Sequence, residues 1–580
     1  MTKKTSVLDF KLLYRVLNFV APYRFIFVVS ILTSIFLGVI SVCRPILIEL
    51  TVDKYILGRN PEMLLNFILI MVALLCLESL FQFFFVYIAN WIGQSVIRDI
   101  RKKLFSKLLS FRLKYFDRSP IGILVTRSVS DIETIAEIFS QGILVIFSDL
   151  FKIIVIVSWM FSRNLFLTLV ALAVFPLLVI VTKYFQRAMK SAFDQERSAI
   201  SMLNTFVQEH ISGMKIIQIF NRENDELESF KQVNSTFKLA TIKAIWYFSI
   251  FLPLIEIMSA ISLGSMVWFG GLNILVGGTV SLGLMLSFIL LINMLFRPVR
   301  HLADRINVLQ RGIVAASRVF KIIDTDDNQY PSGDYTPSQV KGDLKFENIC
   351  FSYEENQPVL NDINFGIEAG KTLALVGATG SGKSSIINLL LRFYKINSGT
   401  VFLDGKNIED YNINFLRSHI ALVLQDVFLF SDSIYKNIVL DKNISIDEVR
   451  DASLAIGLEP FINKLPGGLG YNVQERGAML SSGQRQLIAF LRAYVCHPSV
   501  LILDEATSSV DSETEELIQH AIKKITEGRT SIIIAHRLAT IMNADKILVL
   551  EKGRIVESGS HSELIAKKGF YKKLYKLQFS

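Results

Sequence analysis

Gly377-Ala378-Thr379-Gly380-Ser381-Gly382-Lys383-Ser384 is the stretch that decides how this chain is read. It follows the apolar, strand-like run Thr372 to Val376 and leads through Ser385 into the helix-like run ending in Arg392-Phe393. Glycines at this spacing let the backbone curl until successive N–H groups converge on phosphate oxygens, while Lys383 adds a point charge and Ser384 a hydroxyl suited to Mg²⁺. The run therefore reads as a P-loop that binds the phosphates of a nucleotide, and the flanking strand and helix make a ligand-free glycine turn the poorer alternative.

Further along, Val500 to Leu503 forms a buried-strand pattern that ends in Asp504 and Glu505. An acidic pair at a strand end is weak by itself, because helices often begin with carboxylates there. Behind a P-loop it reads as a Walker B element, in which Asp504 holds Mg²⁺ and Glu505 polarises an attacking water. Short β-branched runs alternate with helical patterns from Leu344 to Val556, which predicts an α/β domain on a mainly parallel sheet. The preceding segment, DTDDNQYPSGDYTPSQVKGD, is rich in Asp, Pro, Ser and Gly and reads as a linker.

The N-terminal part is of another kind. The 580 residues are 51% hydrophobic, and the apolar residues gather before about position 300 in six stretches: Phe19 to Val42, Met63 to Trp91, Ile138 to Phe161, Leu165 to Tyr184, Ala244 to Gly270 and Ile274 to Phe296. Each is long enough to cross a bilayer core of about 30 Å, which takes about 20 helical residues. Lys and Arg crowd Thr2 to Arg15, Arg98 to Arg127 and Lys183 to Lys243, so those segments and both termini are predicted to be cytoplasmic. The same asymmetry accounts for the net charge of +9, and no aromatic-interleaved basic patch points to nucleic acid. Cys43, Cys76, Cys350 and Cys496 are scattered without metal or disulfide spacing. Ser6 to Asn18 reads as an interfacial helix rather than a cleavable signal. Within or beside the stretches, Arg44, Glu49, Glu78, Asp149 and Glu256 are charges that should face a cavity or one another, with interhelical pairing as good a reading as substrate contact. Arg44 and Glu49 are close enough on one helix to share a network.

Leu480-Ser481-Ser482-Gly483-Gln484 makes the chain resemble one family, the ATP-binding cassette exporter half-transporters, whose signature motif it matches. Gln425 is similar to the family's Q-loop residue, Ser509-Val510-Asp511 to its D-loop, His536 to its switch histidine and Tyr353 to the aromatic that stacks on adenine. The resemblance covers nearly the whole chain and implies a multidomain fold: an all-α, six-span transmembrane domain over 1–324, a linker over 325–342 and a cytoplasmic α/β cassette over 343–580. Phe116, Gly122, Arg127 and Asp131, then Glu209, Gly213, Phe220 and Glu223, match less specific patterns of the two coupling loops. The resemblance further implies catalysis by Glu505, His536 and Gln425, Mg²⁺ on Ser384, Gln425 and Asp504, and ATP held by the P-loop, Tyr353, Asp511 and the signature residues Ser481, Ser482, Gly483 and Gln484.

In that family two ATP molecules are sandwiched between two cassettes, so the expected partner is a second half-transporter, with a homodimer slightly favoured over a heterodimer. The departure is Ser482, where the most frequent signature has glycine. The expected activity is ATP-driven export of a lipid or another hydrophobic or amphipathic molecule. A peptide exporter and an ATP-gated regulatory protein are the alternatives; no protease domain precedes the spans, and an importer is disfavoured by their fusion to the cassette. The absence of a transit-like leader fits a bacterial inner membrane.

Overall fold

The structure, a computed structural model, describes residues 9–355, 357–440, 442–504, 512–534 and 541–579. The chain forms two compact units, one of residues 9–109 with 120–326, the other of 110–119 with 327–579. The segment 110–119 thus belongs with the second unit, although its place in sequence is between two apolar stretches.

The first unit is built from six helical stretches long and apolar enough to cross a membrane: α1 (Ala21–Ile56), α2 (Pro61–Leu109), α3 (Ile121–Arg163), α4 (Leu165–Ser212), α5 (Glu223–Leu275) and α6 (Leu282–Asp324). Each outruns the apolar stretch that marks it in the sequence. The 53 residues of α5 amount to about 80 Å of helix, against a bilayer core of about 30 Å, and its first two dozen residues mix charged and polar side chains with apolar ones. Hydrophobicity records only the part of a helix that lipid or core demands. Phe288, Leu291, Ile292 and Phe296 of α6 are fully buried against Ile156 and Met160 of α3, Leu167 and Ala171 of α4, and Ile255 and Met266 of α5. The Ser262 hydroxyl donates to Ala171 O at 2.7 Å, tying α5 to α4 where both are buried.

The helix Phe10–Asn18 is capped by Asp9, whose carboxylate accepts from the N–H groups of Lys11 and Leu12. It docks on the end of α6. Val16 is fully buried, and Arg15 lies over the Phe320 ring at 4.2 Å while gripping both oxygens of Asp324 at 2.5 and 2.6 Å.

Glu49 and Arg44 part company, contrary to the shared network read from their spacing. Glu49 is buried, pairs with Arg163 at the end of α3 and accepts from the Ser287 hydroxyl of α6. One turn on, Asp53 accepts from the Ser281 hydroxyl and from Gly283 N, capping the start of α6. Five residues turn a helix by about 140°, so Arg44 leaves from another face. Glu256, by contrast, does meet a partner on a neighbouring helix, Arg300 of α6, at 2.8 Å.

In the second unit, β1 (Leu344–Ser352) and β2 (Pro358–Ile367) pair antiparallel. Then come β3 (Thr372–Gly377), β4 (Ser398–Leu403), β5 (Lys406–Asn407), β6 (Ile420–Val423), β7 (Val500–Asp504), β8 (Thr530–Ile534), β9 (Lys546–Glu551) and β10 (Arg554–Gly559). One sheet has the order β2-β1-β4-β5 and the other β10-β9-β3-β8-β7-β6. In the larger sheet every pair is parallel except β9 with β10. Its central strands are buried on both faces, as β7 is through Val500 to Leu503, which is why they read as unbroken apolar runs. The C-terminal ends of β3, β8, β7 and β6 consequently share one edge, where an open α/β sheet binds its ligands.

The helix Leu113–Arg118 packs within this same unit. The Tyr394 hydroxyl donates to the Asp117 carboxylate, and Arg112 pairs with Asp327 at 3.0 Å.

Candidate nucleotide-binding site

The loop leaving β3 is shaped by its glycines. Gly380 and Gly382 have φ of 80° and 104°, backbone that a side chain disfavours, and a Cβ on Gly377 would sit 2.3 Å from Leu550 O. Gly382 then opens the helix α7 (Lys383–Leu390). This is a strand, a tight turn and a helix N-terminus in succession, which aims unpaired N–H groups and the positive end of the helix dipole into one hollow.

Lys383 is 7% exposed and folds back over the loop, its ammonium donating to Gly377 O at 2.8 Å and Ala378 O at 2.9 Å. Burial pushes this ammonium below its usual pKa, and the Asp504 carboxylate opposes the shift. Asp504, at the end of β7, is therefore within electrostatic reach of Lys383, as a Walker A and B pair requires. Among the described residues, Ser381 Oγ is buried without a hydrogen-bond partner. An orphaned hydroxyl inside a phosphate cradle fits a ligand with acceptor oxygens. Ala378, Thr379 and Gly380 are exposed at the mouth, and so are Ser384, at the start of α7, and Gln425, just beyond β6. The oxygens of Ser384, Gln425 and Asp504 are a hard donor set of the type Mg²⁺ takes, and they lie on the loop ends of the same sheet edge.

Tyr353 follows β1. Its hydroxyl meets Ser385 Oγ at 3.1 Å and accepts from Asn388 Nδ2 at 3.1 Å, and its ring is edge-on to Phe351 and Tyr394. Ser385 and Asn388 are three residues apart on α7 and so present one face. Sequence reading missed Asn388 and Tyr394, although the i, i+3 spacing from Ser385 was a usable signal. Tyr353, Asn388 and Tyr394 also line a cavity of about 420 Å³ with Leu113, Asp117 and Arg118.

The signature segment forms the start of α8 (Ser482–Val495). Ser481 is its N-cap: the hydroxyl accepts from Gln484 N at 3.2 Å, and the Gln484 side chain accepts from Ser481 N at 3.0 Å. Ser482 is exposed and Gly483 buried. Leu487, Ile488 and Leu491 anchor α8 in the core, so its N-terminus is held rigidly while facing solvent. Glu505, Asp511 and His536 lie outside the described residues; they follow β7 and β8 in sequence.

Comparison with known proteins agrees with this arrangement. Residues 27–299 match the ABC transporter transmembrane region, and residues 360–508 match the ABC transporter cassette. The uncharacterized ABC transporter ATP-binding protein YknV of Bacillus subtilis is 36% identical over 98% of this chain and 94% of its own length. An ATP-dependent lipid A-core flippase of Syntrophus aciditrophicus is 33% identical over 97% of this chain and 94% of its own length, and the flippase of the same name in Nitrosococcus oceani is 33% identical over 97% and 95%. Six spans followed by an ATP-binding α/β domain, together with this likeness along almost the full length, establish that the chain belongs to the ABC transporter family, as a multi-pass membrane ATPase that works with a second subunit.

Proposed function

We propose that this chain is one half of a dimeric exporter, a homodimer, that couples ATP hydrolysis to moving a lipid or hydrophobic small molecule out of the cytoplasmic side of a bacterial inner membrane. The observation that carries the reading is the P-loop with its buried Lys383 and orphaned Ser381 hydroxyl at the open edge of the sheet. It is supported by the 33% identity to proteins named as lipid A-core flippases. The domains are residues 1–324, a linker over 325–342, and a cassette over 343–580.

The P-loop N–H groups from Gly377 to Ser385 orient the β- and γ-phosphates, and Lys383 exchanges two carbonyl partners for phosphate oxygens. Tyr353 stacks on the adenine. Ser384, Gln425 and Asp504 would hold Mg²⁺, which neutralises charge on the transferred phosphoryl group. Glu505 takes a proton from the attacking water, His536 contacts the γ-phosphate, and Asp511 contributes at the cassette interface. The α8 N-terminus, with Ser481, Ser482, Gly483 and Gln484, faces the γ-phosphate bound by the other subunit, so neither subunit completes a site alone. Loss of that phosphate lets the cassettes part and reorients the spans.

The test is reconstitution of the full chain in proteoliposomes with fluorescent lipids in one leaflet. ATP-dependent transfer to the other leaflet, absent with a non-hydrolysable analogue, is the expected result. Steady ATP hydrolysis without transfer of any lipid or dye would favour the regulatory alternative.

A further inference from the structure

Three side chains of the second unit form a hydrogen-bonded line whose direction is set by its first member. The Asn388 amide nitrogen of α7 can only donate, and it donates to the Tyr353 hydroxyl at 3.1 Å. A phenol that accepts on that side turns its own proton the other way, toward Ser385 Oγ at 3.1 Å. Ser385, having accepted, is left with its own proton to give. Among the described residues this hydroxyl has no other partner, although Ser385 is only 5% exposed and sits beside Ser384 in the first turn of α7. A buried hydroxyl proton without an acceptor is costly, and a phosphate oxygen in the hollow of the loop is the acceptor within its reach.

The ring that carries the middle hydroxyl is held as well. Phe351 and Tyr394 meet it edge-on, with centroids 4.8 and 4.9 Å away, and Tyr394 is itself tied to Asp117. The cavity of about 420 Å³ beside the ring leaves room for a base. Stacking needs only the ring, which a phenylalanine also supplies. The Tyr353 hydroxyl is therefore employed on the phosphate side of the site, not on the base side.

Resting on the reading of this loop as an ATP site with Tyr353 against the adenine, we propose that Asn388 is a positioning residue that joins the base and phosphate halves of the site into one unit. Asn388 acts through Tyr353. By fixing the donor order from Asn388 to Tyr353 to Ser385, it locks the ring that receives the base and aims the hydroxyl that meets the phosphate. Each bond in such a chain polarises the next, so the two halves strengthen one another.

The experiment measures binding of ATP, and of inorganic tripolyphosphate by competition, to the purified full-length chain in detergent with Mg²⁺. Tripolyphosphate has no base to stack. Tyr353→Phe keeps the ring and its packing but removes the relay, and it should weaken tripolyphosphate and ATP alike, by about two- to fivefold. Asn388→Ala should do the same, and the two substitutions together should lose no more than either alone. An Asn388 that merely supports the fold would lose as much in the Tyr353→Phe background as in the wild type. Full additivity, or unchanged tripolyphosphate affinity in Tyr353→Phe, would overturn the proposal. Tyr353→Ala tests the reading beneath it: ATP should weaken about tenfold more than tripolyphosphate, the value of one base stack. Equal losses for the two ligands in that variant would overturn stacking at Tyr353, whereas the additivity cycle bears on Asn388 alone.

Discussion

Lys383 is the residue on which the nucleotide reading bears most directly. Its ammonium is buried and, among the described residues, donates to two loop carbonyls, an arrangement worth its desolvation cost when phosphate takes their place. Lys383→Ala should weaken ATP binding about ten- to a hundredfold, the size of one lost charge-assisted hydrogen bond at about 1.5–3 kcal/mol. Fluorescent-nucleotide titration checks it, and a near wild-type affinity would remove Lys383 from the site. The site residues that sequence alone singles out share one property. The P-loop glycines and the Ser481–Gln484 pair act through backbone a few positions away, so spacing carries their whole meaning. Glu49 with Arg163 and Tyr394 with Asp117 are 114 and 277 residues apart, and nothing local announces them.

Among the elements, α8 is the one whose start matters. Ser482 is exposed at the first turn, where the family's most frequent signature has glycine, and its Cβ either crowds a phosphate approaching the helix N–H groups or is harmless. Ser482→Gly should raise ATPase turnover by a few-fold if that Cβ crowds the phosphate; a steady-state assay that finds no change would assign Ser482 a neutral role. At the far end of the membrane helices, Glu49 binds α1 to α3 and α6. Glu49→Ala should lower stability by about 2 kcal/mol, below the 3–5 kcal/mol of a fully buried pair because Arg163 is 41% solvent-accessible. Thermal unfolding in detergent checks this, and an unchanged midpoint would make the pair incidental. Helix existence was legible here and helix length was not. The polar run Lys183 to Lys243 reads as loop on hydropathy, yet it continues α4 and begins α5, because two long polar helices can pack on each other without a lipid-facing face.

At the scale of the whole molecule, the proposed cycle has two chains close around ATP and part when it is hydrolysed. Glu505 follows the Walker B aspartate in sequence, so Glu505→Gln should remove most hydrolysis while leaving ATP binding intact. With the γ-phosphate retained, the cassettes should stay joined. The most direct measurement is the distance between spin labels at Lys523→Cys on the two subunits, in a Glu505→Gln background lacking Cys43, Cys76, Cys350 and Cys496. A single short, sharp distance population with ATP and Mg²⁺, absent without nucleotide, is the result the account predicts. Cassettes that remain apart at saturating ATP, or hydrolysis near the wild-type rate in that variant, would contradict it.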